Sequence, residues 1–227
     1  MQMRTLGKTG ISLSVIGFGA IVFVNEEKQF AFNAVSRAID EGVNYFDLYQ
    51  FHAVKTIEEV QTIVGPNGAL EAFVEARNQG LIRYIGFSAH SQEAAFALID
   101  SFKFDTILFP VNYVTWHEGS FGPLVIEKAS NENMGILALK ALGKKARDTE
   151  NRDHWPKAWY SPVDTYQEAK TALSWTLSQP VTSCVSPGHA ELLWWMIDAE
   201  KEITTLSDKD KNLVKQSAQG ITPFFTA

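Results

Sequence analysis

The sequence predicts an α/β protein: a parallel β-sheet covered by helices, in a TIM-barrel-like arrangement abridged to about six βα units. Two observations predict it. Short strands that are apolar throughout alternate with amphipathic helical segments, which is typical of a parallel sheet buried on both faces. A full (β/α)₈ barrel takes about 250 residues, and the 227 residues here also include an N-terminal hairpin and a C-terminal helix. About two units are therefore missing.

The chain begins with a hairpin, a strand and a helix. Residues 3–14 are short patches broken by glycines, which predicts a small β-hairpin. The apolar run 15–20 predicts a buried strand. Asn25 is the expected N-cap of the first helix, and Gly42 is placed to end it.

The remaining elements alternate along the chain, and because no Pro/Ser-rich linker divides it we expect a single domain, 1–227. The long segment 141–163 has no helical period, and the segment 53–67 is too polar to replace two helices. Further strands are predicted at 43–52, 83–87, 105–111, 135–140 and 181–185. Further helices are predicted at 68–79, 92–102, 121–133, 164–178 and 190–200, with a last one from Ser207 to before Gly220.

Composition excludes several classes of function. The formal net charge of −6 offers no basic excess for nucleic acid. The single cysteine, Cys184, cannot form an internal disulfide, and the five histidines have no metal-binding spacing, so we expect no metal site. No apolar run reaches the roughly 18 residues of a membrane span. We expect a soluble, cytoplasmic protein with no membrane partner.

Five motifs follow one another along the chain: MRTLGKTGISLSVIGFGA (3–20), GVNYFD (42–47), LYQFHAV (48–54), GLIRYIGFSAHS (80–91) and PVTSCVSPGH (180–189). Together they span nearly the whole chain, and their order resembles that of the aldo-keto reductase family. The resemblance implies hydride transfer between an alcohol and an aldehyde or ketone, with NADP or NAD as cofactor and a small alcohol or carbonyl compound as substrate.

One part of the family pattern is missing. In the family, the second strand ends in a catalytic Asp, a Tyr follows on a loop, a Lys lies on the third strand and a His ends the fourth. Here the segment 42–47, which resembles the second strand, runs directly into the segment 48–54, which resembles the end of the fourth. The catalytic Tyr and Lys therefore have no counterpart.

The resemblance implies that His52 and Asp47 are catalytic residues. Side chains alternate along a strand, so both face inward only if a β-bulge separates them. A buried carboxylate for Asp47 and a hydrogen-bonded strand-end histidine for His52 are the structural alternatives. Because imidazole titrates near neutrality, His52 is the expected proton donor, while Tyr49 is predicted on the opposite face.

The cofactor half of the pattern is better preserved. Ser88 matches the serine that hydrogen-bonds the nicotinamide carboxamide, and Gly188 lies in a loop whose following helix can receive a phosphate. Lys140 ends a strand at the face where such folds place their sites, with a solvated or salt-bridged lysine as the alternative. No arginine for a 2′-phosphate is visible, so NADP and NAD both remain open. The candidate cofactor-binding residues are Ser88, His90, Asn112, Lys140, Ser186 and Gly188.

Aromatic residues are candidates for a substrate pocket. His154, Trp155, Trp159 and Tyr160 in the long segment either wall such a pocket or pack the loop, and Trp116 and His117 are placed to join them. Trp194, Trp195 and Met196 are interpreted as helix packing.

Two alternatives to an active reductase stay open. One is a catalytically silent relative that only binds a dinucleotide or small molecule. The other is a protein with a further segment between residues 47 and 48 that carries the ordinary Tyr and Lys. An intact mass of 25.3 kDa would exclude it.

The number of strands also bears on assembly. Six parallel strands leave unpaired apolar edges unless they close tightly, which predicts a homo-oligomer.

Overall fold

The computed structural model describes residues 1–23, 26–45, 50–147 and 154–227. Its first element is the predicted hairpin, formed by the antiparallel strands β1 (Met3–Thr5) and β2 (Ser12–Ser14). Leu6 and Leu13 are buried beneath it. The hairpin therefore covers one end of the molecule, and the expectation from the sequence is confirmed.

The centre of the molecule is the predicted parallel sheet, with six strands in the order β3-β10-β7-β6-β5-β4. A separate antiparallel pair, β8 with β9, lies within the long segment that we predicted to lack regular structure. The strands are β3 (Ile16–Gly17), β4 (Gln50–Val54), β5 (Gly86–Ala89), β6 (Thr106–Pro110), β7 (Gly135–Leu139), β8 (Gly143–Lys145), β9 (Ser161–Pro162) and β10 (Ser183–Val185).

Helices cover the sheet at the predicted places, with two additions that the sequence analysis missed. One is in the segment 53–67, and the other is a short helix after β6. The helices are α1 (Lys28–Asp40), α2 (Ile57–Val64), α3 (Ala69–Asn78), α4 (Gln92–Ser101), α5 (Tyr113–His117), α6 (Pro123–Asn131), α7 (Tyr166–Leu177), α8 (Ala190–Glu202) and α9 (Asp208–Ala218).

Helix α2 shows why the missed helix forms. Thr56 accepts a hydrogen bond from the Glu59 N–H, and the Glu59 side chain accepts one from the Thr56 N–H, which is a complete capping box. The pattern Thr-x-x-Glu is visible in the sequence. The polar composition of the segment misled the prediction.

The predicted continuous strand 43–52 does not form: of its described residues, only the last ones belong to a strand of the sheet, β4. The Phe18 N–H donates to the Tyr45 carbonyl at 2.8 Å, so residues 43–45 lie beside β3. Residues 50–54 instead pair with β5, at the opposite end of the strand order. The two halves therefore occupy positions from different parts of a barrel. Asp47 and Tyr49 lie outside the described residues, as does the predicted N-cap Asn25.

Two apolar clusters fill the molecule. The larger one lies between the sheet and its helices. The smaller one fills the inside of the curved sheet, where Leu108, Leu137 and Val185 meet the hairpin residues. Because the hairpin and this cluster fill the interior from one end, open space is left at the carboxyl ends of the strands.

Among the described residues, no helix is long and apolar enough to cross a membrane.

Candidate active site

A cavity of about 230 Å³ lies at the carboxyl ends of the parallel strands. We call it the carboxyl-end cavity. Five of the predicted site residues line it, and they come from four strands of the sheet or the residues just after them, β4, β5, β7 and β10. They are His52, His90, Lys140, Ser186 and Gly188, and the other lining residues are Gly19, Ile21, Leu108, Leu139, Lys157, Ala158, Trp159, Tyr160, Val185 and Pro187.

His52 reaches the cavity because β4 is irregular there. The register with β5 shifts between Phe51 and Val54, and Ala53 has a left-handed φ of 55°. Such a β-bulge re-aims the side chains beside it. Phe51 and Val54 are buried against the helices, whereas the His52 ring is exposed at the cavity.

Ser88 fixes this bulge. Its hydroxyl oxygen accepts a hydrogen bond from the Ala53 N–H at 2.5 Å, and its side chain is almost completely buried. It is not among the residues that line the carboxyl-end cavity. In this structure Ser88 therefore positions the strand that carries His52, and its predicted contact with a carboxamide remains a prediction.

His90 follows β5 on the wall beside His52. Its backbone N–H donates to the Val54 carbonyl at 2.9 Å, and its ring lies 5.4 Å from the ring of Phe225. Burial lowers the pKa of His90 to about 4, and the positive charges of Lys140 and Lys55 add to the effect. The imidazole is therefore neutral at pH 7.

Lys140 directly follows β7 with a left-handed φ of 61°. Its ammonium lies 5.1 Å from the ring centre of Trp159 and 5.3 Å from that of Tyr160. Burial lowers the pKa of Lys140 to about 8. No carboxylate among the described residues forms an ion pair with it, unlike most of the other lysines that are partly buried.

The opposite wall is suited to an anion. Helix α8 begins two residues after Gly188, and its N-cap residue His189 makes no capping hydrogen bond with its side chain. Instead His189 Nε2 accepts from the Lys157 N–H at 3.1 Å. The first N–H groups of α8 thus have no side-chain acceptor, and the helix dipole adds partial positive charge there.

The loop around Lys157 closes this wall. The Lys157 ammonium lies 2.6 Å from a Glu26 carboxylate oxygen and donates to the Val22 carbonyl at 3.0 Å. A Cβ added to Gly188 would lie 3.2 Å from the Lys157 Cβ, so the backbone at Gly188 is close beneath the loop. Ser186 accepts from the Gly19 N–H at 3.0 Å, which joins β10 to the segment after β3.

Asn112 lies outside the cavity lining. Its side-chain oxygen accepts from the N–H groups of Val114 and Thr115, at 3.1 and 3.0 Å, and so caps α5. The side chain is completely buried, and its Nδ2 has no hydrogen-bond partner among the described residues. The predicted cofactor contact of Asn112 is neither supported nor opposed by this placement.

The aromatic residues that were predicted to wall a substrate pocket do not all line the same cavity. Trp159 and Tyr160 line the carboxyl-end cavity, and burial raises the pKa of Tyr160 above its usual range. His154 and Trp155 line a neighbouring cavity of about 360 Å³ that Tyr160 shares. Trp116 and His117 instead pack against the Trp175 ring, with ring centres 5.4 and 5.5 Å away. Met196 is buried within α8, as its helical spacing predicted.

The C-terminal segment also reaches the site, which the sequence analysis missed. The Phe225 ring lies 5.5 Å from that of Trp159, in addition to its contact with His90. Phe224 stacks on Tyr160 with ring centres 5.0 Å apart. Two phenylalanines near the end of a chain match no motif, so only the fold could place them here.

The chemistry of two other groups is constrained. Cys184 is buried in β10, and burial raises its thiol pKa to about 12, so it is not a nucleophile at neutral pH. Among the described residues, no group of three or more His, Cys, Asp or Glu side chains is arranged to hold a metal ion.

The fold and the position of the cavity define an abridged α/β barrel with its site at the carboxyl ends of the strands. The family model for the aldo/keto reductase family matches residues 32–192, well over half of the chain. The chain therefore belongs to the aldo/keto reductase family, a family of oxidoreductases, as its motifs indicated.

Solved structures with the same fold are also aldo-keto reductases. One from Bacillus halodurans, in its holo form, has 15% identity and a TM-score of 0.69, with 99% of this chain and 98% of that chain covered. One from Pseudomonas aeruginosa has 16% identity and a TM-score of 0.62, with 87% and 95% covered. At these identities the likeness concerns the fold alone. A comparison with curated protein sequences gives no significant match.

Proposed function

We propose that this protein is an NAD(P)-dependent oxidoreductase that interconverts alcohols with aldehydes or ketones through a reduced catalytic site. One observation carries the proposal. His52, His90 and Lys140 converge on a single cavity, and Gly188, which lies two residues before the first residue of α8, lines the same cavity. Proton-transfer groups and an anion site thus share one space.

The phosphate end of a dinucleotide fits the groups that are present. The first N–H groups of α8 follow Gly188, and the Lys140 ammonium is a second positive group in the lining of the same cavity. Phosphate groups at helix N-termini use this combination of N–H donors and dipole. No arginine lines the cavity among the described residues, so we propose little preference for NADP over NAD.

The substrate carbonyl needs a proton on its oxygen as its carbon is reduced. A bound nicotinamide dinucleotide would supply the hydride. Tyr160 is a poor donor, because burial raises its pKa further from neutrality. His90 is neutral at pH 7 and so holds no second proton. We assign proton donation to His52, whose ring is exposed at the cavity.

Lys140 has a different part in this scheme. Its ammonium is the positive charge on the cavity wall nearest the aromatic rings, where it stabilises negative charge on a carbonyl oxygen or a phosphate. Leu108 and Leu139 make the floor apolar. Together with the small volume, this favours a small, apolar alcohol or carbonyl compound as the substrate.

The experiment is an assay of reduced nicotinamide absorbance with a panel of small alcohols and aldehydes and with both dinucleotides. The His52→Ala variant should lose turnover by about 10²-fold or more, the usual contribution of a positioned acid or base. His154→Ala, in the neighbouring cavity, is the matched control and should retain activity. Full turnover in the His52 variant would assign the proton donor elsewhere.

A second candidate function is a silent relative that binds a dinucleotide or small molecule without turnover. The family's catalytic Tyr and Lys have no counterpart in the sequence, and the buried phenol of Tyr160 does not replace them. Dinucleotide binding by calorimetry together with no turnover on any substrate of the panel would favour this candidate.

A further inference from the structure

We propose that Lys140 is a nucleophilic amine that captures small aldehydes and ketones as Schiff bases, on the evidence of its place in the carboxyl-end cavity, beside two adjacent aromatic rings and without an ion pair to any carboxylate of the described residues. This is a second chemistry of the cavity. It needs no dinucleotide, and so it does not depend on the proposed oxidoreductase function.

The position of Lys140 is fixed by the fold. It follows the last residue of β7, and the Val111 N–H donates to the Leu139 carbonyl at 2.9 Å, which anchors the strand end immediately before it. The rings of Trp159 and Tyr160 lie next to each other, with centres 5.5 Å apart, and both are about 5 Å from the amine. The amine is therefore held at the cavity wall, where a small molecule can reach it.

The burial of its side chain favours the neutral amine. Charged side chains prefer water, and burial without a counter-ion makes the ammonium less stable than in solution. Burial lowers the pKa of Lys140 to about 8, and no acidic group is among the causes of that shift. Lysines activated in this way are the ones that form Schiff bases with carbonyl compounds.

The step balances without a redox partner. The amine nitrogen attacks the carbonyl carbon, the carbonyl oxygen takes up a proton, and the nitrogen gives up one proton to form a carbinolamine. Loss of the hydroxyl as water, with one further proton from nitrogen, leaves the C=N bond. His52 and His90 line the same cavity and are placed to exchange these protons.

Lys144 offers a matched comparison four residues along the chain. Its ammonium lies 2.6 Å from a Glu168 oxygen and 3.4 Å from an Asp164 oxygen. Hydrogen bonds and charge from these two carboxylates raise the pKa of Lys144 despite partial burial. The pKa of the amine is thus lowered in Lys140 and raised in Lys144, and Schiff-base formation depends on the fraction of neutral amine.

The experiment traps the imine. The full-length protein, without dinucleotide, is incubated briefly with limiting propanal and cyanoborohydride at pH 7.5, and the propylated lysines are located by peptide mapping. We expect Lys140 to be labelled roughly tenfold faster than Lys144 or the exposed Lys209, because its larger neutral fraction outweighs its lower basicity. Labelling of Lys140 at or below the rate of those lysines would overturn the proposal.

Variants provide a second readout. Lys140→Arg should abolish the fast phase of labelling and leave the slow labelling of the other lysines unchanged, whereas Lys144→Arg should keep the fast phase. A fast phase that survives in Lys140→Arg would also overturn the proposal. Because the wild-type peptide map alone decides the question, a variant that fails to fold does not remove the test. Loss of dinucleotide binding or of turnover would instead bear on the proposed oxidoreductase function.

Discussion

The ring of Tyr45 lies where a side chain at position 17 would have to go. A Cβ added to Gly17 would overlap the Tyr45 ring, which is only 2% exposed and belongs to the interior cluster. This contact, together with the hydrogen bond from Phe18 to Tyr45, holds residues 43–45 beside β3.

Gly17→Ala should therefore destabilise the protein by about 1–3 kcal/mol, the usual cost of overpacking a core. Urea unfolding followed by circular dichroism measures the loss. The double variant Gly17→Ala/Tyr45→Leu removes the overlapping ring and serves as the control. Its loss should be smaller than the sum of the two single losses, and strict additivity would show that the two positions do not compete for space.

His90 should make the protein less stable in mild acid. Its folded pKa is about 4, below the ordinary value of 6.5, so the unfolded chain binds a proton between these values that the folded protein does not. Stability is full above pH 6.5 and falls as the pH is lowered toward 4. The ring is partly solvated, so we expect a loss on the order of 1–3 kcal/mol.

The measurement is urea unfolding at a series of pH values between 4 and 7.5. His90→Asn should flatten the profile in this window, whereas His154→Asn, at an exposed position, should leave it unchanged. An identical slope in wild type and His90→Asn would show that the acid sensitivity comes from other groups.

The sequence predicted the elements whose signals are local. The apolar runs located five of the six described strands of the parallel sheet, whereas the run 43–52 overlaps β4 only at its end. The glycine after α1 has the expected left-handed φ of 89°. Helix α2 was missed because its capping box stands in a polar segment, and the β8–β9 pair was missed because two- and three-residue strands have no period to detect.

The site was harder to predict, because its residues are far apart in the sequence and only the folded sheet brings them together. The motifs pointed to His52, His90, Lys140, Ser186 and Gly188, which line one cavity. The sequence could not show that a bulge at Ala53 turns His52 toward it. Nor could it show that the C-terminal phenylalanines close over His90, since such contacts join residues more than a hundred positions apart.

Dinucleotide binding should be measurable but weak, with similar affinities for NADP and NAD. Lys140→Met should weaken it by about tenfold, or roughly 1.4 kcal/mol, because one positive charge facing the phosphates is removed. Titration calorimetry measures both values, with Lys144→Met as the control. The absence of heat with either dinucleotide would contradict the proposed cofactor site.

We expect a homo-oligomer that buries the side of the sheet between β3 and β4, which no strand pairing closes among the described residues. Helix α1 carries two exposed apolar side chains seven residues apart, Phe32 at 69% and Ile39 at 55% exposure. They lie on one helix face. Light scattering should give at least a dimer, and Phe32→Glu should weaken it. A monomer of 25.3 kDa at all micromolar concentrations would contradict this expectation.

We expect this family member to transfer hydride without the usual Tyr and Lys, with His52 as its proton donor. The most direct test is steady-state turnover of a small aldehyde with reduced dinucleotide, for wild type, His52→Ala and Tyr49→Phe. We expect turnover in wild type, a loss of about 10²-fold or more in His52→Ala, and a much smaller effect in Tyr49→Phe. Undiminished turnover in His52→Ala, or none in the wild-type protein with bound dinucleotide, would contradict this expectation.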